Sequence, residues 1–447
     1  MVHRTSSLDK LYASVLARRG DQGRLRRLTI TPPGTVDFSS NNYLSLSTNA
    51  DIKRAYLEKL QSTTTEEELA LGPGGSRLLD GNSVAAESLE CAIAAFHGAP
   101  AGLLFNSGYE ANTGLFGCAA QPGDVLVYDE LIHASVHDGM RLSRGRRIPF
   151  AHNCVRDNPH AVPAKVTKGL DDVLADLVRG EDGEDFSNGR ANVFVAVESV
   201  YSMDGDLAPL AEIVECVEAR LPNGNGHIIV DEAHATGWLG DRGRGLVSAL
   251  GLQDRVWARV HTFGKAVGCN GAVVLCSPTV RDYLINYARS LIYTTAMAYP
   301  LLAAIGTAYE YLAGAQVESR LHHLRSLMQY THRLLARLLC SLRPPRSLLH
   351  VREEPPQSPI VPLFTLHARS LAQHCQQKGF MVRPVVPPTV PAGQDRVRLC
   401  LHAGNTFEQV QGLCKEIEAW VCLQRAEIKS GVEFRTTQGS SQQSSKL

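Results

Sequence analysis

The 447-residue chain carries no net charge, its 45 basic side chains being matched by 45 acidic ones. No long-range field therefore draws it to nucleic acid or to an anionic membrane. The short cluster of Arg141, Arg144, Arg146 and Arg147 reads as a solvated face. The 11 cysteines include no Cys-x-x-Cys pair, so nothing supports a zinc site and no metal is expected. Their odd number and scattered spacing suit buried free thiols in a reducing compartment. Also missing are an apolar stretch long enough to cross a bilayer and, near the first residue, the apolar segment of a secretory signal. The expectation is a protein neither secreted nor embedded in a membrane. The polar, Arg- and Ser-containing beginning leaves a mitochondrial presequence open, with Asp9 and Asp21 weighing against it. One amphipathic helix is plausible there. No internal repeat is present, and no glycine-rich turn continues into the Gly-Lys-Ser/Thr of a nucleotide-binding loop.

What is present is the make-up of a globular chain, 44% hydrophobic and 20% charged. It is long enough for a large core and two packed domains. Between 51 and 300, short apolar runs alternate with helical stretches. Buried strands are expected at 102–105, 125–128, 193–197, 227–231, 260–263 and 272–276, with helices such as 83–97 and 210–219 between them. That alternation predicts an α/β layer architecture around a mostly parallel sheet. Residues 180–190 and 221–226 read as surface insertions. Beyond 301 the character changes: a long helical segment to 342, a proline-rich break, strands at 360–364 and 397–401, and helices at 371–378 and 407–422. These predict a smaller C-terminal α+β domain. The expected division is an N-terminal arm at 1–50, a large domain at 51–300, a small domain at 301–425 and a flexible, low-complexity tail at 426–447. The tail ends in Ser445-Lys446-Leu447, a peroxisomal address read by an import receptor. The expected location is the peroxisome, reached from the cytosol.

Four places carry chemistry. In His227-Ile-Ile-Val-Asp-Glu-Ala-His-Ala-Thr-Gly an apolar strand ends in Asp231, and open α/β sheets bind ligands beyond the carboxyl ends of their strands. A buried aspartate needs a cation, and the protonated nitrogen of a pyridine ring is one candidate. The plainer alternative is a helix N-cap with a surface histidine at His234. Further on, Thr262-Phe-Gly-Lys265 ends a second apolar strand. A lysine desolvated in a pocket can form a Schiff base, and the Thr262 hydroxyl can meet a phosphate. In Phe105-Asn-Ser-Gly-Tyr-Glu-Ala-Asn112 a small-residue turn opens a helix whose N–H groups can cradle phosphate, Gly108 permitting close approach. Finally, His133 in His133-Ala-Ser135 could stack on a flat cofactor or be an ordinary hydrogen-bonded structural residue.

Taken together and in this order, these stretches resemble the α-oxoamine synthases. Ser39-Ser-Asn-Asn-Tyr-Leu-Ser-Leu, Gly74-Gly-Ser-Arg, Glu198-Ser-Val-Tyr-Ser-Met-Asp-Gly-Asp206 and Leu291-Ile-Tyr-Thr-Thr add to the match, which runs from about Phe38 to Cys414. The resemblance implies a transferase of pyridoxal 5'-phosphate fold type I, aspartate-aminotransferase-like, and a homodimer with sites at the subunit interface. It implies that Lys265 holds the cofactor and shuttles a proton, Asp231 pairs with the pyridine nitrogen, His133 stacks on the ring and His234 lies near the ring hydroxyl. Gly108, Tyr109, Ser202 and Thr262 take cofactor-contacting positions, and Thr295 reaches the phosphate from the neighbouring subunit. Asn41, Thr389, Arg398 and, by a weaker match, Arg26 take substrate-contacting positions. Arg398 would hold the amino-acid carboxylate as a bidentate pair. The implied reaction joins L-alanine to pimeloyl-CoA with release of CoA and CO2, in the biotin-pathway branch that the segment Pro387-Pro-Thr-Val-Pro favours. Within the family the alternative is glycine or serine with a different acyl-CoA, including in secondary metabolism. From a different class, an inactive regulatory subunit would have lost the lysine that is present here. The chain departs from the family pattern at Asn42, where many members have Asp, at Ser45, where Gly is common, and at Cys269 and Asn270.

Overall fold

The computed structural model describes residues 6–63, 70–156 and 166–429. Its strands are β1 (Val36–Asp37), β2 (Ala101–Phe105), β3 (Val125–Asp129), β4 (Arg146–Phe150), β5 (Val193–Glu198), β6 (Gly226–Asp231), β7 (Ala258–Thr262), β8 (Ala272–Cys276), β9 (Ile360–Phe364), β10 (Phe380–Met381), β11 (Arg383–Val385) and β12 (Arg396–Cys400). A seven-stranded sheet runs in the order β2-β8-β7-β6-β5-β3-β4. Its pairs are parallel except at β8, which is antiparallel to both of its neighbours. Every residue of β5, β7 and β8 is buried, so none shows the alternation of a half-exposed strand; β8 is apolar throughout, whereas β7 also buries Arg259 and His261.

All six expected strands are present, and a seventh was not foreseen. β4 begins with the exposed Arg146 and Arg147 and contains Pro149. Such a strand is tolerated at a sheet edge, where charge and proline also discourage pairing with another chain. Helices cover both faces. Val84–His97 starts at Ser83, whose hydroxyl accepts the Ala86 N–H, and stops at Gly98 with φ 63°. These are the ordinary start and stop signals of a helix.

The expected long helix at 301–342 is two helices, Tyr299–Ala313 and Val317–Leu342. The Gly314 N–H closes the first on the carbonyls of Glu310 and Tyr311. Residues 180–190 are more than a surface insertion. They hold a short helix, Gly183–Ser187, and its Phe186 side chain is 1% exposed in the core beside Leu174 and Leu177. In the C-terminal part, β11-β12-β9 form an antiparallel sheet. β1 pairs with β10 in parallel, so the arm joins the C-terminal part at Val36 and Asp37. The helix expected near the start spans Ser7–Asp21 and buries no residue. Six of the eleven free cysteines are buried, and Cys91, Cys340 and Cys422 are exposed. Among the described residues no helix is long and apolar enough to cross a membrane.

Candidate active site

The sheet register sets two carboxylates side by side. Glu198 ends β5, Asp231 ends β6, and the two are direct partners across the parallel pair. Both are buried, at 3% and 6% exposure. Burial, and then repulsion from Asp231, push the Glu198 carboxyl well above its ordinary range, the usual outcome for two carboxyls at one site. Asp231 Oδ2 accepts a hydrogen bond from Asn112 Nδ2 at 2.8 Å, and its Oδ1 accepts the Ala233 N–H at 2.9 Å. His234 is 5% exposed, so the alternative of a surface histidine does not hold.

Lys265 follows β7 in a turn closed by Gly268 N–H to Lys265 O at 3.0 Å and Phe263 N–H to Gly271 O at 2.9 Å. Burial lowers its pKa against the attraction of Asp231 and Glu198. An amine shifted that way is the form that can attack a carbonyl carbon. Beside it, Ser107 caps the helix Gly108–Cys118 by accepting the Glu110 N–H. The first N–H groups of a helix have no intrahelical partner. At Gly108 a Cβ would lie 3.2 Å from both Cβ and Oγ1 of Thr262. The space that the glycine leaves, between a helix N-terminus and a threonine hydroxyl, suits a phosphate.

His133 caps the helix Ala134–Leu142, its ring Nδ1 accepting the Ser135 N–H. The Ser135 hydroxyl lies 2.7 Å from the same nitrogen. Burial lowers the His133 pKa, Asp231 opposes that, and the Lys265 charge adds to it. His234 is held from the other side. Tyr43 Oη lies 2.8 Å from its Nδ1, and burial followed by the charges of Lys265 and Arg398 drives its pKa well down. Asn41 Oδ1 accepts from Arg398 Nη2 at 2.8 Å and from Tyr43 Oη at 3.2 Å. Arg398 thus reaches from β12 into the site, and its buried Nε has no hydrogen-bond partner among the described residues. Ser45 adopts φ 54°, a conformation that explains why glycine suits this position. Its hydroxyl compensates by accepting the Gly404 N–H at 3.0 Å.

The structure therefore brings together Lys265, Asp231, His133, His234, Gly108, Thr262, Asn41 and Arg398. Ser202 lies half-buried in the turn after Tyr201. Tyr109 is 49% exposed, and its hydroxyl donates to Asp138. Thr295 is exposed, its carbonyl accepting from Asn106 Nδ2 of the same chain at 2.9 Å. Thr389 is exposed beyond β11, and Arg26 is exposed on the segment after the first helix. Neither joins the cluster by a hydrogen bond. Sequence reasoning gave no role to Glu198, Asn112, Ser135 or Tyr43. Each stands inside a quoted motif, but only the strand register and long-range hydrogen bonds show what it touches.

These residues fit pyridoxal phosphate on observations internal to the chain. A carboxylate stands at a strand end for the ring nitrogen, a desolvated lysine can hold the aldehyde carbon, and a cradle that a Cβ would fill suits the phosphate. Residues 33–417 match the family model for aminotransferase class I and II. The chain is 52% identical over 413 residues to the 8-amino-7-oxononanoate synthase of Emericella nidulans, covering 92% of this chain and 95% of the relative. It is 38% identical over 394 residues to the aminoacyl transferase sphA of Aspergillus fumigatus, covering 85% and 79%. Among solved structures, the serine palmitoyltransferase of Sphingomonas wittichii matches with a TM-score of 0.75 at 26% identity, covering 96% of this chain and 98% of that one. The chain belongs to the class I and II aminotransferase family and, within it, to the α-oxoamine synthases, acyltransferases that use pyridoxal 5'-phosphate.

Proposed function

We propose that the enzyme joins L-alanine to pimeloyl-CoA, giving 8-amino-7-oxononanoate, CoA and CO2, the biotin-pathway reaction. The observation that carries this reading is the 52% identity to an 8-amino-7-oxononanoate synthase over nearly the whole of both chains. The site supports it. Arg398 keeps a buried donor without a partner among the described residues, set beside Asn41 and Tyr43. That is where an amino-acid carboxylate can be held by charge-assisted hydrogen bonds. When bound, pyridoxal phosphate supplies the electron sink for a carbanion at the amino-acid Cα.

The chain supplies the rest. Asp231, fixed by Asn112 and the Ala233 N–H, presents its carboxylate to the ring nitrogen. Lys265, with its lowered pKa, takes the proton from Cα and later returns one. Arg398 orients the carboxylate that leaves as CO2 after the thioester carbon has bonded to Cα and CoA has departed.

The test is CoA release from pimeloyl-CoA by the purified, cofactor-loaded enzyme, with L-alanine and glycine in parallel. Release with alanine and not with glycine is expected. Release with glycine alone would move the assignment to the second reading, glycine or serine with another acyl-CoA, which the likeness to a serine palmitoyltransferase at 26% identity supports. Pockets separate such substrates by only about 1–3 kcal/mol per methylene.

We also propose a homodimer, in which Thr295 serves the neighbouring site, and import into peroxisomes through Ser445-Lys446-Leu447. The terminal motif and most of the tail lie outside the described residues, so this reading rests on the motif alone. A chain without these three residues that still entered peroxisomes would overturn it.

A further inference from the structure

Asn112 lies on the helix that begins at the phosphate cradle, yet its side chain turns away from the cradle into the protein. It is 2% exposed. Its Nδ2 sits 2.8 Å from Asp231 Oδ2 and 3.0 Å from Ser135 Oγ. A carboxylate can only accept, so the amide orientation is fixed, with nitrogen toward Asp231 and both of its protons used. The Ser135 hydroxyl accepts one of those protons and so has its own free to give. The group within reach is His133 Nδ1 at 2.7 Å, which also faces the Ser135 N–H at 3.2 Å. With two donors aimed at Nδ1, the proton of the neutral His133 ring belongs on Nε2. The other end of the amide, Asn112 Oδ1, is buried with no partner among the described residues. An unmade buried hydrogen bond is costly, and it persists here because the Nδ2 contacts hold the side chain in place.

We infer that Asn112 is a positioning residue that acts at two points of the cofactor site at once. It fixes the Asp231 carboxylate that would pair with the ring nitrogen, and through Ser135 it biases the tautomer of His133, which would stack on the ring. One hydrogen-bond chain, His133–Ser135–Asn112–Asp231, thereby links the group that would stack on the ring to the group that would meet its edge. The inference rests on the pyridoxal phosphate assignment and not on which amino acid or acyl-CoA is used, so its readouts are taken without substrate.

The experiment compares wild type with Asn112→Ala and Ser135→Ala. In cofactor-free protein carrying 15N-labelled histidine, the ring nitrogen shifts of His133 are assigned by the signal that a His133→Gln variant loses. Wild type is expected to show the Nε2–H tautomer, and both variants a raised share of the Nδ1–H form, which the Ser135 backbone N–H, kept in both, still opposes. Cofactor dissociation is then measured from the absorbance of the lysine-bound chromophore. Asn112→Ala is expected to weaken cofactor binding about tenfold, the typical effect of losing a hydrogen bond to a charged group. Ser135→Ala, which leaves the Asn112–Asp231 bond intact, is expected to change binding much less while still releasing the tautomer. Unchanged His133 shifts in both variants would overturn the tautomer role, and unchanged cofactor affinity in Asn112→Ala would overturn the Asp231 role. If Asn112→Ala does not fold, as judged by its thermal transition, Asn112→Ser replaces it, keeping a smaller donor in the same place.

Discussion

Arg398 offers a fork of donors to a site in which Asn41 and Tyr43 use only Nη2. A lysine in its place keeps the charge but loses the planar fork, and it also loses the contact that ties β12 to the 39–47 segment. Arg398→Lys is expected to raise KM for the amino acid about 10- to 100-fold while altering kcat much less, since the carboxylate contact is made before and during the reaction. Steady-state kinetics with the amino acid varied at saturating acyl-CoA checks this. An unchanged KM would remove Arg398 from the carboxylate site. At this scale the sequence was legible where an apolar run ends in one polar residue. Asp231 and Lys265 are both announced that way, because a strand end in an open α/β sheet is where a side chain meets the ligand. Tyr43 and Asn112 were not legible. Their roles depend on partners 191 and 119 positions away, His234 and Asp231, and no local pattern marks such a pairing.

The loop between β5 and the helix Leu210–Arg220 carries Ser202, and it is clamped twice, on either side of Gly205. Asp204 binds Arg396, which is 1% exposed in the C-terminal sheet, and lies 3.4 Å from Arg352. Asp206 lies 2.8 Å from His152 Nε2, and Asp129 lies 2.9 Å from His152 Nδ1. Gly205 between them has φ 70°, and a Cβ there would sit 2.5 Å from the Ile360 carbonyl oxygen, so only glycine allows the two clamps so close together. Burial alone would lower the His152 pKa, but the two carboxylates outweigh it and raise it to about 10 from the ordinary 6.5. The folded state thus holds this proton more tightly than the unfolded chain. The stabilisation is complete below 6.5, shrinks as pH rises and is lost on passing about 10. His152→Gln is therefore expected to cost about 3–5 kcal/mol at neutral pH, where it leaves two carboxylates without their cation, and progressively less toward pH 10. Urea midpoints of both proteins across that range test this; a difference that stays constant with pH would show that His152 is not charged in the fold. None of this was visible in advance. The motif was quoted through Asp206 but only Ser202 was given a role, and β4, which leads to His152, was hidden by its own edge chemistry of two arginines and a proline.

Across the whole molecule the alternation of strands and helices predicted the large sheet, since a parallel sheet requires a crossover for every strand and repeats its signature along the chain. The attachment of the N-terminal arm to the C-terminal part was hidden, because β1 and β10 are two residues each and too short for any periodicity. Subunit assembly is the level the single chain leaves to experiment, and Thr295 is the residue that decides it. Within one chain its carbonyl anchors to Asn106, one residue before the Ser107 cap of the cradle helix, while the residue itself is exposed. It is thus placed beside the cap of the cradle helix, with no hydrogen bond from its side chain among the described residues, as a residue shared between subunits would be. Two separately weakened chains distinguish the cases. Lys265→Ala chains lack the amine and Thr295→Ala chains lack the hydroxyl, and each alone is expected to show impaired cofactor retention and turnover. If Thr295 serves the neighbouring site, a mixed dimer contains one site with both groups intact and one with neither. Random exchange of equal amounts should then restore about one quarter of wild-type sites, read as the absorbance of lysine-bound cofactor and as turnover. If Thr295 serves its own chain, every mixed site lacks one group and mixing restores nothing, which would return Thr295 to the same-chain rim where its carbonyl is already held.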